Sequence, residues 1–388
     1  MKVRGCAKKS KAFTSLLDVY TNRDQYAVEA KKKGKTVIAV FGSDVPVEIL
    51  HAAGMLPVQV YGGKNLDLTA ADKYLEYAFD PCIRSQFEKM VDGTYSNLVD
   101  FVVMSRSSDA LTRVFYYLRE IRLTEPDVPV PPVYFIEQFF LRNFDNQRKN
   151  ITRFNKFRKV VEAWAARELR DEEIWESCRL YNEDRQYLRD FSALRHGEHP
   201  TVLGSEFLVA VGASMFMPVE KHIELMKQLL EDAKAWDEVK AVNIFLTGSA
   251  QEDTDLYEQI EALGGNVTAE DHDWGDRYAA MDIDLNMITP ERALVDRYWL
   301  RTPSTKHALI RDRVASVVAD SERGEVSKGL IFVHQYEESP SWDYPSQIKA
   351  LKDRGIECLA LTKQKYRRED NAELKEKLGS FLKGGDIQ

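Results

Sequence analysis

Five short groups of polar residues each follow an apolar run in this chain of 388 residues. The groups combine hydroxyl, carboxylate, imidazole and guanidinium side chains, which can hold anions or exchange protons. Backbone N–H groups at helix starts beside them would favour a ligand with a phosphate or a carbonyl oxygen. The groups are residues 43–44, 105–108, 247–249, 271–274 and 334–338.

The spacing of cysteines and histidines gives no metal or disulfide signature. The four cysteines contain no C-x-x-C pair, so neither a disulfide framework nor a four-cysteine metal site is predicted. The seven histidines form no H-x-x-x-H or H-E-x-x-H pattern, which leaves a zinc hydrolase without local support. No Walker sequence and no G-x-G-x-x-G occurs, so these loops do not predict a nucleotide site either.

The apolar runs before the polar groups have the composition of buried parallel strands, and helical patterns separate most of them. Residues 150–236 instead carry the periodicity of long helices. The prediction is an α/β fold with two parallel-sheet domains, Rossmann-like or flavodoxin-like, over residues 1–150 and 236–388, and a helical region over 151–235. The predicted strands are residues 36–41, 56–61, 101–105, 133–136, 241–246, 266–269, 329–333 and 357–361.

In open α/β sheets, ligands bind beyond the carboxyl ends of the strands. This rule selects the same five polar groups as the candidate site. Each residue also has a purely structural alternative. Ser108 would cap a helix, Cys82 would be an ordinary half-buried thiol, His272 a surface imidazole, and Glu337 part of a solvated loop.

The overall composition is that of a soluble globular protein, with 44% hydrophobic and 30% charged residues. The net charge of −8 argues against nucleic acid as the main partner. No apolar run approaches the length needed to span a bilayer, and the first residues lack the apolar core of a signal peptide. We therefore expect a cytoplasmic protein without a membrane partner.

Several segments together resemble the 2-hydroxyacyl-CoA dehydratase / benzoyl-CoA reductase family, over about residues 35–366. Residues 45–58, VPVEILHAAGMLPV, are similar to its N-terminal signature. Cys82 with the downstream MVDG resembles its first cluster-cysteine helix, and LYNEDR at 180–185 resembles another family helix. Residues 335–336 and 343–345 are similar to its Q-F-C-D-P-(x)4-Y-P segment. The likeness looks nearest to the small cluster-bearing subunit of benzoyl-CoA reductase.

The resemblance implies an oxygen-sensitive, heteromeric system of anaerobic metabolism. Two related α/β subunits bind acyl-CoA between them, and each usually carries a 4Fe-4S cluster on three cysteines. A separate ATP-dependent activator protein supplies one low-potential electron. Reduction of the thioester carbonyl then permits loss of a hydroxyl group, as in a lyase, or reduction of an aromatic ring, as in an oxidoreductase.

The resemblance also locates a metal set, and here the chain departs from the family. Cys82 is kept, but Ser108 and Glu337 stand where the family has its other cysteines, and His272 stands at an optional fourth position. Serine and carboxylate oxygens are hard ligands, whereas an Fe–S cluster requires thiolates.

Three interpretations remain open from the sequence. The first is a subunit that shapes the acyl-CoA pocket without an ordinary cluster and pairs with a cluster-bearing sister subunit. The second is a redox-active subunit that holds a 4Fe-4S cluster or another metal through Cys82 and ligands such as His272 and Glu337. The third is a non-catalytic scaffold or binding protein that kept only the fold.

If CoA binds, its phosphates need N–H groups and cations. Each arginine proposed for this role has the alternative of a surface ion pair. The candidates are the expected helix starts at Ser43, Asp44 and Ser249 together with Arg84, Arg106 and Arg277.

Overall fold

The computed structural model describes residues 3–301, 304, 308–366 and 371–384. Within these residues the chain forms two four-stranded parallel sheets. The strands are β1 (Val37–Phe41), β2 (Leu56–Gln59), β3 (Phe101–Ser105), β4 (Val133–Ile136), β5 (Val242–Gly248), β6 (Gly265–Glu270), β7 (Lys328–His334) and β8 (Glu357–Gln364).

Helices connect and cover the strands, as expected for parallel sheets. They are α1 (Gly5–Lys9), α2 (Lys11–Thr21), α3 (Gln25–Lys32), α4 (Val47–Ala52), α5 (Thr69–Tyr74), α6 (Pro81–Val91), α7 (Thr94–Leu98), α8 (Asp109–Thr124), α9 (Phe144–Ala165), α10 (Asp171–Ala193), α11 (Gly204–Ser214), α12 (Val219–Ala233), α13 (Asp255–Ala262), α14 (Asp276–Ala279), α15 (Pro290–Leu300), α16 (Ile310–Arg323), α17 (Glu338–Lys352) and α18 (Ala372–Lys383).

The two sheets have the same strand order. The first is β2-β1-β3-β4 and the second is β6-β5-β7-β8, and every pairing is parallel. The order in which strands are added reverses between β1 and β3 and between β5 and β7, and in flavodoxin-like sheets ligands bind at this switch point. The predicted α/β class with two parallel sheets is confirmed, and all eight predicted strands form.

The central strands are buried along their whole length, which explains their apolar sequences. Every residue of β1 and of β7 is buried. A strand covered on both faces has no solvent side, so its sequence is continuously apolar rather than alternating. The long helical periodicity after residue 150 corresponds to α9, α10, α11 and α12.

Helix α15 returns the chain from the second sheet to the first. It packs against α9, and Leu294 and Tyr298 join a core cluster with Val40 and Val103 of the first sheet. This return places the C-terminal end of α15 beside the end of β1, although the two are about 250 residues apart in the chain.

Local predictions about helix starts were wrong at two places. Asp44 caps no helix, because α4 begins at Val47 with Pro46 at its N-cap and no capping side chain. Ser249 starts no helix either, because α13 begins only at Asp255. Both side chains instead make tertiary contacts, described below.

None of the helices in the described part of the chain combines the length and apolarity needed to cross a membrane.

Candidate functional site

A cleft of about 320 Å³ lies between the carboxyl ends of the two sheets. One wall comes from the segments that follow β1 and β3, together with the start of α6. The opposite wall comes from the segments that follow β5, β6 and β7. Cys82, Ser108, His272 and Glu337 all line this single cleft. The fold therefore brings these four residues, which are far apart in the sequence, into one cleft.

Two glycines shape the walls of the cleft in equivalent turns. Gly42 follows β1 with φ +112°, and Gly248 ends β5 with φ +117°. A side chain is strained at these angles. A Cβ at Gly42 would also collide with the hydroxyls of Ser105 and Ser107, and one at Gly248 would collide with the Phe332 carbonyl. Each turn therefore needs glycine to let the chain pass close to a neighbouring strand.

Cys82 lies at the first turn of α6, where the surroundings are acidic. The Asp80 side chain caps this helix and accepts hydrogen bonds from the backbone N–H groups of Cys82 (2.9 Å) and Ile83 (3.1 Å). Burial raises the pKa of the Cys82 thiol well above its usual value, and the carboxylates of Glu252, Asp80 and Glu337 raise it further. The thiol therefore stays protonated at neutral pH.

Glu252 is fixed in place by donors from the first half of the molecule and from the C-terminal region. It accepts hydrogen bonds from the backbone N–H of Gly62 (3.1 Å) and from the hydroxyl of Tyr366. The Gln86 amide lies at 3.5 Å. Its position beside Cys82 is thus set by three separate segments of the chain.

The other three members of the family-derived set have protein partners of their own. The Ser108 Oγ accepts a hydrogen bond from the Leu111 N–H at 3.1 Å and caps α8, which confirms the helix-cap interpretation. Glu337 accepts a hydrogen bond from Ser249, and the His334 Nδ1 lies 3.7 Å from its carboxylate.

His272 is almost fully buried, so the interpretation as a surface imidazole is wrong. Its Nε2 lies 2.8 Å from the Tyr257 hydroxyl. Burial lowers its pKa to about 3, and the neighbouring Arg277 acts in the same direction. The ring is therefore neutral at physiological pH.

These residues do not fit an ordinary 4Fe-4S cluster. Cluster ligands are thiolates, yet Cys82 is the one cysteine that lines the cleft. The positions facing it offer a capping hydroxyl and a carboxylate, which are hard ligands. Across residues 3–301, 304, 308–366 and 371–384, no three His, Cys, Asp or Glu side chains are grouped as ligands for a metal ion.

The predicted CoA-binding residues divide into two sets. Ser43 and Arg277 line the cleft, and Arg277 lies 3.4 Å from Asp271 and 3.6 Å from Asp273. Asp44 is buried just behind Ser43 in an ion pair of 2.9 Å with Arg301.

The remaining three candidates point elsewhere. Arg84 is buried and donates to the Glu76 carbonyl at 2.7 Å and to the Asp72 carboxylate. Arg106 forms an ion pair of 3.1 Å with Glu137. Ser249 is buried and donates to Glu337 rather than facing the cleft. A phosphate-binding role for these three stays a prediction, without support from their position.

Sequence reasoning missed several residues of the cleft. Arg113, on the second turn of α8, lines the cleft with an exposed side chain and lies over the Phe79 ring at 4.4 Å. Arg301 donates to the Ser43 Oγ at 2.7 Å from the far end of α15. The Asp80-Pro81 pair, an N-cap residue followed by proline, did signal the start of α6. No local pattern signals Arg301, because its nearest partners, Ser43 and Asp44, lie about 250 residues away in the chain.

The sequence model of the 2-hydroxyglutaryl-CoA dehydratase, D-component family matches residues 43–383. The chain belongs to this family. The match covers seven of the eight strands, from β2 to β8, and most of the cleft lining, so the resemblance drawn from the motifs is confirmed at the level of the family.

Proteins similar to this chain include subunits of two acyl-CoA dehydratases and of a benzoyl-CoA reductase. The (R)-phenyllactyl-CoA dehydratase beta subunit of Clostridium sporogenes is 21% identical over 354 residues, 90% of this chain and 92% of that protein. One of the subunits of benzoyl-CoA reductase from Thauera aromatica is 26% identical over 251 residues, 61% of each chain. The beta subunit of (R)-2-hydroxyglutaryl-CoA dehydratase from Acidaminococcus fermentans is 21% identical over 332 residues, 83% of this chain and 85% of that protein.

Proposed function

We propose that this chain is a subunit of a heteromeric complex like a 2-hydroxyacyl-CoA dehydratase or benzoyl-CoA reductase. It contributes an acyl-CoA cleft and works without an ordinary three-cysteine 4Fe-4S cluster of its own. The observation that carries the proposal is Cys82, the single thiol of the cleft, which lies among Asp80, Glu252 and Glu337. A 4Fe-4S cluster needs several thiolate ligands, and the cleft supplies a single cysteine.

The similar proteins are named as subunits, which supports a sister chain for this one. In the proposed complex the sister subunit holds the 4Fe-4S cluster, and an ATP-dependent activator delivers the low-potential electron to it. This chain then binds and orients the acyl-CoA and excludes water from one side of it. The proposed setting is the anaerobic cytoplasm.

The phosphates of CoA would meet the cations of the cleft. Arg113 extends into solvent at the cleft, and Arg277 lies deeper in the opposite wall. Arginine donors bind phosphate oxygens with charge-assisted hydrogen bonds, which are stronger than neutral ones. We assign the first contact to Arg113, because its side chain is exposed and its ion pair with Glu76 is long, at 3.9 Å. Arg277 is only partly exposed and is already engaged by Asp271 and Asp273.

Metal content tests the proposal directly. The chain is purified under anaerobic conditions, alone and together with its sister subunit, and iron and acid-labile sulfide are measured for each chain. We expect iron and sulfide only on the sister. Four irons and four sulfides on this chain would overturn the proposal in favour of the redox-active alternative.

A variant with restored cysteines supplies the positive control for this measurement. Ser108→Cys together with Glu337→Cys returns the family's thiols to the cleft beside Cys82 and removes one of the carboxylates that disfavour its thiolate. We expect anaerobic reconstitution with iron and sulfide to give a brown protein for this double variant and a colourless one for the native chain.

Acyl-CoA binding tests the cleft itself by isothermal titration calorimetry with butyryl-CoA. Arg113→Met should weaken binding about five- to tenfold, the effect of removing one charge-assisted contact at a partly exposed site. Arg119→Met, on the solvent side of the same helix and outside the cleft lining, is the matched control. No binding by the native chain or by its complex with the sister subunit would support the scaffold alternative.

A further inference from the structure

A second, smaller cavity of about 80 Å³ adjoins the cleft, and we refer to it as the inner chamber. Gly42, Ser43, Gln59, Asp273 and Trp274 line both spaces. The two spaces therefore share a wall, and the chamber lies next to the proposed acyl-CoA site.

The inner chamber has an apolar side and a cationic side. The apolar side comes from Val40, Val45, Val47, Pro57 and Met215, which lie around β1, β2 and the start of α4. The cationic side consists of three arginines, Arg185 on α10 and Arg297 and Arg301 at the end of α15. Such a division suits a ligand with a short aliphatic part and one negative end.

Two of the three arginines have carboxylate partners. Arg185 forms a buried ion pair with Glu48, and Glu48 also accepts a hydrogen bond from the Tyr298 hydroxyl at 2.9 Å. Arg301 forms an ion pair of 2.9 Å with Asp44. These contacts neutralise the two guanidinium groups within the protein.

Arg297 differs from both neighbours. It is 3% exposed, and its Nη2 donates to the backbone carbonyl of Tyr278 at 3.1 Å. Its Nε and Nη1 have no hydrogen-bond partner, and no carboxylate in the described part of the chain lies within ion-pair distance. A buried cation without a counter-charge raises the free energy of the folded state.

The electrostatics of Arg297 agree with this geometry. Its pKa is lowered to about 9, mainly by burial and also by the positive charges of Arg185 and Arg301. An arginine is otherwise charged at any ordinary pH. Within the described residues, the positive charge is therefore balanced by ion pairs at Arg185 and Arg301 but not at Arg297.

We propose that the inner chamber binds a short aliphatic carboxylate, with its negative end beside Arg297 and its hydrocarbon part against the apolar side. The carboxylate supplies the counter-charge that Arg297 lacks. The volume of the chamber, about 80 Å³, is of the order needed for a group about the size of propionate. An uncharged acyl chain of the same length would leave Arg297 unpaired, so the site discriminates by charge.

The carboxylate has two sources with the same chemistry. It is either a free small acid or the far end of an acyl chain whose thioester lies in the cleft. The second source rests on the proposed function, since it requires acyl-CoA in the cleft. The first source does not.

Free carboxylates are tested on the native chain with sodium propionate against sodium chloride at constant ionic strength. We expect saturable binding by calorimetry and a higher unfolding temperature with propionate. Arg297→Met should weaken propionate binding about ten- to a hundredfold, which corresponds to one charge-assisted interaction. Arg292→Met, which removes a solvent-facing arginine from the same helix, should leave it unchanged.

The acyl source is tested with succinyl-CoA and butyryl-CoA, which differ only in a terminal carboxylate or methyl group. The native chain, with its sister subunit present, should bind succinyl-CoA more tightly, and Arg297→Met should abolish that preference while leaving butyryl-CoA affinity unchanged. Equal binding of both esters by the native chain, with propionate bound, assigns the chamber to free acids. Failure of both esters to bind rejects the proposed function but not the chamber.

Absence of saturable binding for propionate and of any preference for succinyl-CoA overturns the proposal. Should Arg297→Met fail to fold, Arg297→Lys keeps the charge with fewer donors, and we expect it to retain propionate binding within about tenfold. The titrations of the native chain decide the question even without a folded variant.

Discussion

The cleft around Cys82 and the inner chamber are neighbouring spaces with opposite electrostatics. Around Cys82 three carboxylates surround a thiol that stays protonated. In the chamber three arginines face the cavity, and one of them lacks a counter-charge. The comparison shows that the difference from the family is more than a loss of cysteines. The cleft around Cys82 is unsuited to a thiolate cluster, while the neighbouring inner chamber is suited to an anion.

The largest expected effect separates a paired arginine of the chamber from the unpaired one. Arg185→Met leaves the buried carboxylate of Glu48 without its ion pair and should lower the free energy of unfolding by about 3–5 kcal/mol. Arg297→Met leaves no carboxylate behind and should change it by about 1 kcal/mol or less. Urea unfolding of both variants measures the difference.

The double variant Arg185→Met with Glu48→Gln is the control for that comparison. Removal of both charges should recover a large part of the lost stability, because the cost of a broken pair comes from the charge that remains. If Arg185→Met and Arg297→Met lowered the free energy of unfolding equally, Arg297 would have a counter-charge as effective as that of Arg185.

The carboxyl groups around Cys82 should affect the pH dependence of the protein's stability. Burial and the Glu337 carboxylate raise the pKa of Asp80 to about 7. A carboxyl group whose pKa is raised on folding stabilises the protein fully below its unfolded pKa, and this contribution is lost as the pH rises through about 7. Asp80→Asn keeps an oxygen to cap α6 but cannot ionise.

We therefore expect the stability of Asp80→Asn relative to the native chain to increase by about 1–2 kcal/mol between pH 5 and pH 8. Chemical unfolding at several pH values measures this trend. A constant difference across the range would mean that Asp80 ionises in the folded chain as it does in the unfolded one.

The smallest effect concerns the reactivity of the Cys82 thiol. Alkylation requires the thiolate, so at pH 8 Cys82 should react with iodoacetamide at least about tenfold more slowly in the folded chain than in urea. Glu252→Gln removes one of the surrounding charges and should speed the folded reaction several-fold. Peptide mass spectrometry follows the modification. Reaction of Cys82 at the same rate in the folded and the urea-unfolded chain would contradict a raised pKa of this thiol.

Much of the fold could be predicted from the sequence because it is encoded locally. Strands such as β3 and β4 are apolar runs that end at the predicted residues. Ile174, Cys178 and Tyr181 follow one another at helical spacing, and all three are buried on α10. The cap at Ser108 needed only the knowledge that serine before a helical segment accepts a backbone hydrogen bond.

The site could be predicted only in part, because its contacts are tertiary. The rule for carboxyl ends of strands brought Ser108, His272 and Glu337 to the right edge of each sheet. It could not show that Asp44 pairs with Arg301 instead of capping a helix, since the two are separated by most of the chain. The inner chamber was missed for the same reason, because two of its three arginines come from the end of α15, which follows β6 of the second sheet, and the third comes from α10.

Arg301 also bears on how the two halves of the molecule can move. Its guanidinium lies between Asp44 of the first half, at 2.9 Å, and Asp273 of the second half, at 3.6 Å. A hinge rotation that widened the gap here would pull this buried cation away from at least one carboxylate. The contacts of Arg301 with Asp44 and Asp273 therefore favour a closed, nearly rigid arrangement of the two halves. A ligand would enter by rearrangement of side chains rather than by a large rotation of one half.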